Sequence, residues 1–249
     1  VSALAVRPED SPRLAPYLCP SDDGLVDLET GAAAPAVARL AHDAFVGMVN
    51  SPAFTCVGGK AAVSRETYRV GMLGTLGSRQ SAAALAAGLW AFEAERRAAE
   101  SDFFSYIAFF TDPVGQDEAA FEKSLWTQLR ELHRLDREGW DPAVSADPGD
   151  PQFSFSFGGH AYFIVGLHGA SSRWTRRFAW PTLVFNPHDQ FDELREDGRM
   201  PRWQEVIRER DSALQGSPNP NLSDFGQLPE ARQYSGRRNP ADWQCPFHA

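Results

Sequence analysis

The chain has 249 residues, 43% of them hydrophobic, with 17 Phe and 7 Trp. That content buries one sizeable core, or two small ones sharing an interface, and excludes disorder over most of the length. The net charge is -9, only Lys60 and Lys123 among the 24 basic residues are lysine, and no basic stripe stands out, which argues against a nucleic-acid partner; no apolar run reaches the roughly 18 residues of a membrane span.

In chain order, residues 1–31 hold Pro, Asp and Gly at turn spacing and read as an irregular arm. Ala32 to Val49 carries Val37, Leu40, Ala41, Ala44, Phe45 and Met48 at helical spacing, and Asn50-Ser51-Pro52 ends that helix. Phe54 to Val57 reads as a short strand and Thr67 to Leu73 as a second. Ser78 caps a long helix to about Ala99, Phe103 to Phe110 is a buried strand, and Gln116 to Asp136 is a helix with Phe121, Leu125, Leu129 and Leu132 on one face. Asp141 to Asp150 is a loop. Phe153, Phe155 and Phe157 alternate with serines, Gly158-Gly159 turns, and His160 to Leu167 returns as a strand, giving a hairpin. Thr182 to Phe185 is a strand, His188 to Glu196 and Trp203 to Leu214 are helices, and Gln215 to Ala249 is rich in loops. This order predicts one α+β domain: a central, largely antiparallel sheet flanked by helices, with a long C-terminal segment wrapping the body.

Three cysteines, Cys19, Cys56 and Cys245, lack metal-finger spacing and suit a reducing cytoplasm. Cys56 precedes Val57-Gly58-Gly59, so small residues leave room beside its sulfur. A thiolate there can hold a haem iron and push electron density onto it; the plainer reading is a buried, inert thiol. Cys245, between Trp243 and Pro246, competes as ligand but reads as a packed thiol in a docked tail. Arg173, Arg176 and Arg177 follow a strand closely, and such forks suit haem propionates, a substrate carboxylate or surface ion pairs. His160 and His168 are placed to face a pocket or to serve as structural hydrogen-bonding residues. Asn186-Pro187 reads as a turn, with His188 at a helix N-terminus that would lower its pKa. In the tail, the arginines are expected to pair with Asp211, Asp224 and Glu230. No phosphate loop, nucleophile elbow or zinc helix is present.

Several of these strings resemble the YqcI/YcgG family: Phe54-Thr55-Cys56-Val57-Gly58, Gly166-Leu167-His168, Ser172-Arg173 through Arg176-Arg177-Phe178, and Phe185-Asn186 through Gln190-Phe191. So do Ile207-Arg208 with Arg210-Asp211, Asn219-Pro220, the string Glu230 to Arg237, and Trp243 to Phe247. The likeness runs from about Val49 to the end, and the last two strings are the most specific. Two departures touch pocket shape: Ala53-Phe54-Thr55 stands where Phe-Pro often precedes the cysteine, and Gly169 follows His168 where Pro is common.

The resemblance implies that residues 32–249 form a haem-binding domain. Some members of that family N-hydroxylate a guanidino group, one on L-arginine in D-cycloserine biosynthesis and another on a guanidine intermediate of guanitoxin. By the same resemblance Cys56 ligates the iron of haem b; given a haem, the forks of Arg173, Arg176 and Arg177 are the candidates for its propionates. Asp224 or Glu230 would grip the guanidinium, and His160 or His168 would hydrogen-bond oxygen or relay protons. The expected partners are a small guanidino substrate and a separate electron donor, or peroxide in its place; a homodimer is left open. The alternatives are a non-catalytic haem carrier or sensor, and a cofactor-free binding protein whose arginines only build structure.

Overall fold

A computed structural model of the chain describes residues 14–22, 24–98, 103–223 and 226–248. Its frame is a sheet in the order β2-β1-β3-β4-β7-β6-β5. The strands are β1 (Ala15–Ser21), β2 (Gly24–Asp27), β3 (Tyr68–Thr75), β4 (Ser105–Asp112), β5 (Phe155–Phe157), β6 (His160–Leu167) and β7 (Thr182–Pro187). Of the strand pairs, β3–β4 alone is parallel, and a helical crossover joins them, as parallel neighbours require. The helices are α1 (Ala36–Asn50), α2 (Val57–Ser64), α3 (Arg79–Arg96), α4 (Glu118–His133), α5 (Asp189–Glu196), α6 (Met200–Gln215) and α7 (Ala231–Tyr234). The α+β architecture expected from the element order is the one observed. Among the described residues no helix is long and apolar enough to cross a membrane.

Two parts of the sequence reading change. The N-terminal arm is not wholly irregular: residues 15–27 form the β1–β2 hairpin, which extends the sheet past β3. Pro16 and Pro20 disguised it, because proline reads as a strand breaker. The structure accommodates Pro16 at an irregularity, where the β1–β3 register shifts between Ala15 and Leu18. Residues 1–13 lie outside the described part. The second change is at Phe54 to Val57, which form no strand. Cys56 is instead the N-cap of α2, its sulfur accepting from the Gly59 amide at 3.3 Å. Gly58 and Gly59 lowered the helical signal there, and the cap, with Lys60 to Val63 behind it, outweighs their cost.

The expected caps hold elsewhere. Ser78 accepts from Ser81 N at 3.1 Å to start α3, and Asp117 from Ala120 N at 2.8 Å to start α4. Alternation divides the sheet into two faces. Tyr106, Ala108 and Phe110 of β4 and Tyr162 and Ile164 of β6 meet α3 and α4, among them Leu85, Phe92, Leu125 and Trp126. Ile107 and Phe109 face the other way, to Phe45 and Val49 of α1 and Val70 and Met72 of β3. The C-terminal segment closes the first core. Phe247 is fully buried among Trp126, Trp140, Phe153 and Phe155. Glu122 takes Arg237 at 2.7 Å and the Trp243 indole at 3.2 Å.

One hydrogen bond ties β4 to β1, and α3 is seated closely over it. The Tyr106 hydroxyl donates to the Pro16 carbonyl through a gap between Gly71 and Gly88. A Cβ at Gly88 would lie 2.1 Å from that hydroxyl and 2.5 Å from that carbonyl. Alanine gains about 1 kcal/mol of helix propensity over glycine, but forcing helix and strand apart costs about 1–3 kcal/mol or more. Gly88→Ala is therefore expected to destabilise the chain in urea denaturation despite its better propensity; an unchanged or raised midpoint would refute the packing account.

Candidate functional site

A cavity of about 210 Å³, open to solvent at its mouth, lies on the face of the sheet opposite α3 and α4. Its floor is one face of four strands: Tyr68 from β3, Ser105 and Ile107 from β4, Val184 and Asn186 from β7, and Phe163, Val165 and Leu167 from β6. Phe45 and Val49 of α1 and Cys56, Gly59 and Val63 of α2 wall one side. Ile207 and Asp211 of α6 cover it with Asn219 and Leu222, and Arg176 and Gln233 close one end. The lining is mainly apolar, with a few fixed polar groups, the usual make-up of a small-molecule site.

Those polar groups are held from behind. Asn186 donates to the Phe163 carbonyl at 3.1 Å and accepts from the Ser105 hydroxyl at 2.9 Å. The Cys56 side is exposed, and the Gly59 amide fixes the orientation of its sulfur. Cys245 is half-buried, and burial pushes its thiol up to about 12. Of the three cysteines, only Cys56 lines the cavity.

Arg176 lies on a single 3-10 turn, Trp174–Arg176. Its guanidinium donates to the Gly166 carbonyl at 3.1 Å and to the Gln233 carbonyl at 3.4 Å. Burial pulls it down to about 10, against the charges of Cys56 and Asp211. Arg176 is half-buried and its guanidinium bonds to neutral carbonyls, which leaves its charge able to take an anionic partner.

The other sequence candidates lie elsewhere. Arg173 is buried and ion-paired with Asp211, and also donates to the Ser217 carbonyl at 2.9 Å. Asp211 was expected to pair with an arginine, and it does. Arg177 donates to the Ser171 carbonyl at 2.6 Å and lies 5.7 Å from the Trp174 ring centroid, away from the cavity. His160 opens β6 beside Arg97 and Glu93, at 2.6 and 3.8 Å. His168 is buried with its ring stacked 4.3 Å from that of Phe121; burial lowers its pKa against the nearby Glu118. Positions 160 and 168 share the parity of Tyr162 and Ile164, so both histidines fall on the α3–α4 side of the sheet, not the cavity side.

Glu230 is buried outside the cavity, 3.4 Å from His188 Nε2. Asp224 lies outside the described residues. The sequence placed His188 at a helix N-terminus with a lowered pKa. It does cap α5, and burial does oppose its charge, but Glu230 and then Asp192 outweigh that and raise it.

Sequence reasoning missed Tyr68, Ser105, Asn186 and Gln233 as lining groups. The one signal available was Asn186, directly after the apolar run Leu183 to Phe185, which reads as a turn but continues β7.

The sequence pattern that defines the YqcI/YcgG family matches residues 45–248, which includes every lining residue of the cavity. The uncharacterized protein YqcI of Bacillus subtilis (strain 168) is 26% identical over 204 residues, covering 78% of this chain and 80% of that protein. No solved structure matches the chain.

The His188–Glu230 pair sets a pH dependence. A raised folded pKa contributes stability that is fully present below the unfolded value, 6.5, and is lost as pH rises through the folded value. Glu230→Gln should therefore destabilise most at acid pH, with the difference from the parent chain narrowing as pH rises. Urea midpoints between about pH 5.5 and about pH 9 read this; a gap that widens with pH would contradict it.

Proposed function

The chain belongs to the YqcI/YcgG family, and we propose that it is a haem-thiolate monooxygenase that N-hydroxylates a guanidino group, L-arginine first among the candidates. The observation that carries this reading is the joint placement of Cys56 and Arg176 on one apolar cavity.

The residues fit the group. The Cys56 side chain stands exposed at the head of α2 rather than sealed in hydrocarbon, and Gly59 beside it lets the Phe54 ring pack close to the helix start. Phe45, Val49, Phe163, Val165 and Leu167 offer apolar cover for a flat macrocycle. Arg176 would hold a propionate; Arg173, occupied by Asp211, and Arg177, outside the cavity, would not. Among the described residues no group of three or more His, Cys, Asp or Glu is gathered as a metal site, and a haem iron asks for one protein ligand, because the macrocycle brings its own nitrogens. When bound, the haem would supply an electron-rich iron able to activate dioxygen, with the Cys56 thiolate as donor.

The chain's own groups would position the substrate. A guanidinium nitrogen is a weak nucleophile, its lone pair being delocalised, so its orientation matters. Asp211 is the carboxylate on the cavity wall, held in place by Arg173. With Glu230 outside the cavity and Asp224 outside the described residues, Asp211 is the described carboxylate that could share its Arg173-paired charge with a guanidinium. Asn186 and Ser105 would orient polar atoms on the floor, and α6 with Leu222 would exclude water. Two electrons would come from a separate donor, or peroxide would replace them. Three free thiols suit a reducing compartment, and we assign the chain to the cytoplasm on that ground.

The chain reconstituted with haem and reduced under carbon monoxide is expected to show a strongly red-shifted Soret band. Cys56→Ala should abolish it and Cys245→Ala should not; the reverse result, or no Soret band at all, sinks the reading. Arg176→Gln should weaken haem affinity by about tenfold, the worth of one charge-assisted bond, without moving the band, while Arg177→Gln leaves affinity unchanged. Mass spectrometry of arginine incubated with the haem-loaded protein, a supply of electrons from a chemical reductant and oxygen-18 should show one labelled oxygen on the guanidino nitrogen. Haem binding without any such product from guanidino substrates would make the chain a carrier or sensor instead.

A further inference from the structure

N-hydroxylation consumes protons as well as electrons: one atom of dioxygen enters the substrate as hydroxyl and the other leaves as water, with two electrons from the donor and two protons from solvent. Neither His160 nor His168 is on the cavity side. Asp211 is engaged by Arg173. Tyr68 lines the Cys56 cavity and also a second, open cleft, bounded by Ser21 of β1, His42 and Asn50 of α1, and Ser64 and Glu66 at the end of α2. His42 Nε2 lies 2.7 Å from the Tyr68 hydroxyl, and the two rings stack with centroids 5.8 Å apart. On its other side His42 Nδ1 lies 3.3 Å from Asp43, whose side chain is 78% exposed.

We propose that Tyr68 and His42 are a two-residue proton conduit from this cleft into the Cys56 cavity, a role that rests on the oxygen-consuming reading of that cavity. Tyr68 gives its hydroxyl proton to an acceptor in the cavity and takes one from His42 Nε2. His42 regains a proton at Nδ1 from water or Asp43 in the cleft. One proton has then crossed; Tyr68 ends as it began, while His42 ends as the Nδ1–H tautomer and returns to the Nε2–H form by exchanging protons with water in the cleft before the next transfer.

The groups facing the pair suit this exchange. Burial lowers His42, against Asp43 and Glu66, which favours a neutral ring able to pass a proton between its nitrogens. Burial, followed by Glu66 and Cys19, raises the Tyr68 hydroxyl, with Arg69 opposing, so the tyrosine releases one proton only as it gains another. At the rim of the cleft, Glu66 holds φ 55°, the left-handed region that disfavours a side chain and recurs at functional sites.

Two measurements test it. In the haem-free full chain with tyrosine Cζ labelled with carbon-13, NMR in mixed water and deuterium oxide reads exchange of the Tyr68 hydroxyl. His42→Gln keeps a hydrogen-bonding group but cannot turn over a proton, and should slow that exchange at least tenfold and flatten its pH dependence. Exchange at the parent rate overturns the conduit. In the haem-loaded chain, association of hydrogen cyanide, which must shed its proton in the cavity, should slow about tenfold in Tyr68→Phe and in His42→Gln. The double variant should be no slower than either single one, as for two members of one path, and carbon monoxide binding should not change. Parent cyanide rates or additive losses overturn the role. A parent chain that takes up no haem sinks the haem reading alone, and the hydroxyl exchange still decides the conduit.

Discussion

The central strands of this sheet are buried on both faces, so every side chain along β4, β6 and β7 is committed to one of two helical layers by its parity. The layer with α3 and α4 is filled: large aromatics from β4, β5 and β6 interlock with Leu85, Phe92, Leu125 and Trp126, and the C-terminal Phe247 closes it. The layer with α1, α2 and α6 is not filled, because its strand residues are smaller or polar (Ser105, Val165, Val184 and Asn186) and its helices stand off. The cavity is the consequence. One face holds the fold together, which leaves the other free to hold a ligand.

Placement of charge follows the same division. On the filled side, Glu122 gathers Arg237 and the Trp243 indole, and Glu93 meets Arg96, so buried charges there are matched. On the cavity side, Arg173 and Asp211 neutralise each other while Arg176 bonds to carbonyls. Burying a charge without an opposite partner costs stability that packing must offset. Arg176 at the end of this apolar pocket, with the Cys56 sulfur at the head of α2, is the pair of groups on which the proposed function rests.

The two cavities also share a wall. Tyr68 belongs to the pocket floor and to the cleft beside α1, and His42 lies in that cleft. Tyr68 therefore gives the pocket a side-chain connection to the neighbouring cleft in addition to its own mouth.

The sequence by itself determined the helices α1, α3 and α4, with the Ser78 and Asp117 caps, the β5–β6 hairpin, and the docked tail around Trp243 and Phe247, because these rest on local periodicity, local caps and local turns. It also pointed to Cys56 and to Arg176. What it could not rank was Arg176 against Arg173 and Arg177, three arginines of like chemistry within five positions; only the partners brought from α6 and α7 separate them. Nor could it tell that His160 and His168 lie on the far side of the sheet, or that Cys56 caps a helix rather than sitting in a strand. Tertiary structure decided those points for one physical reason: which face a strand buries, and which backbone amide lies ahead of a side chain, depend on what packs against it from distant parts of the chain.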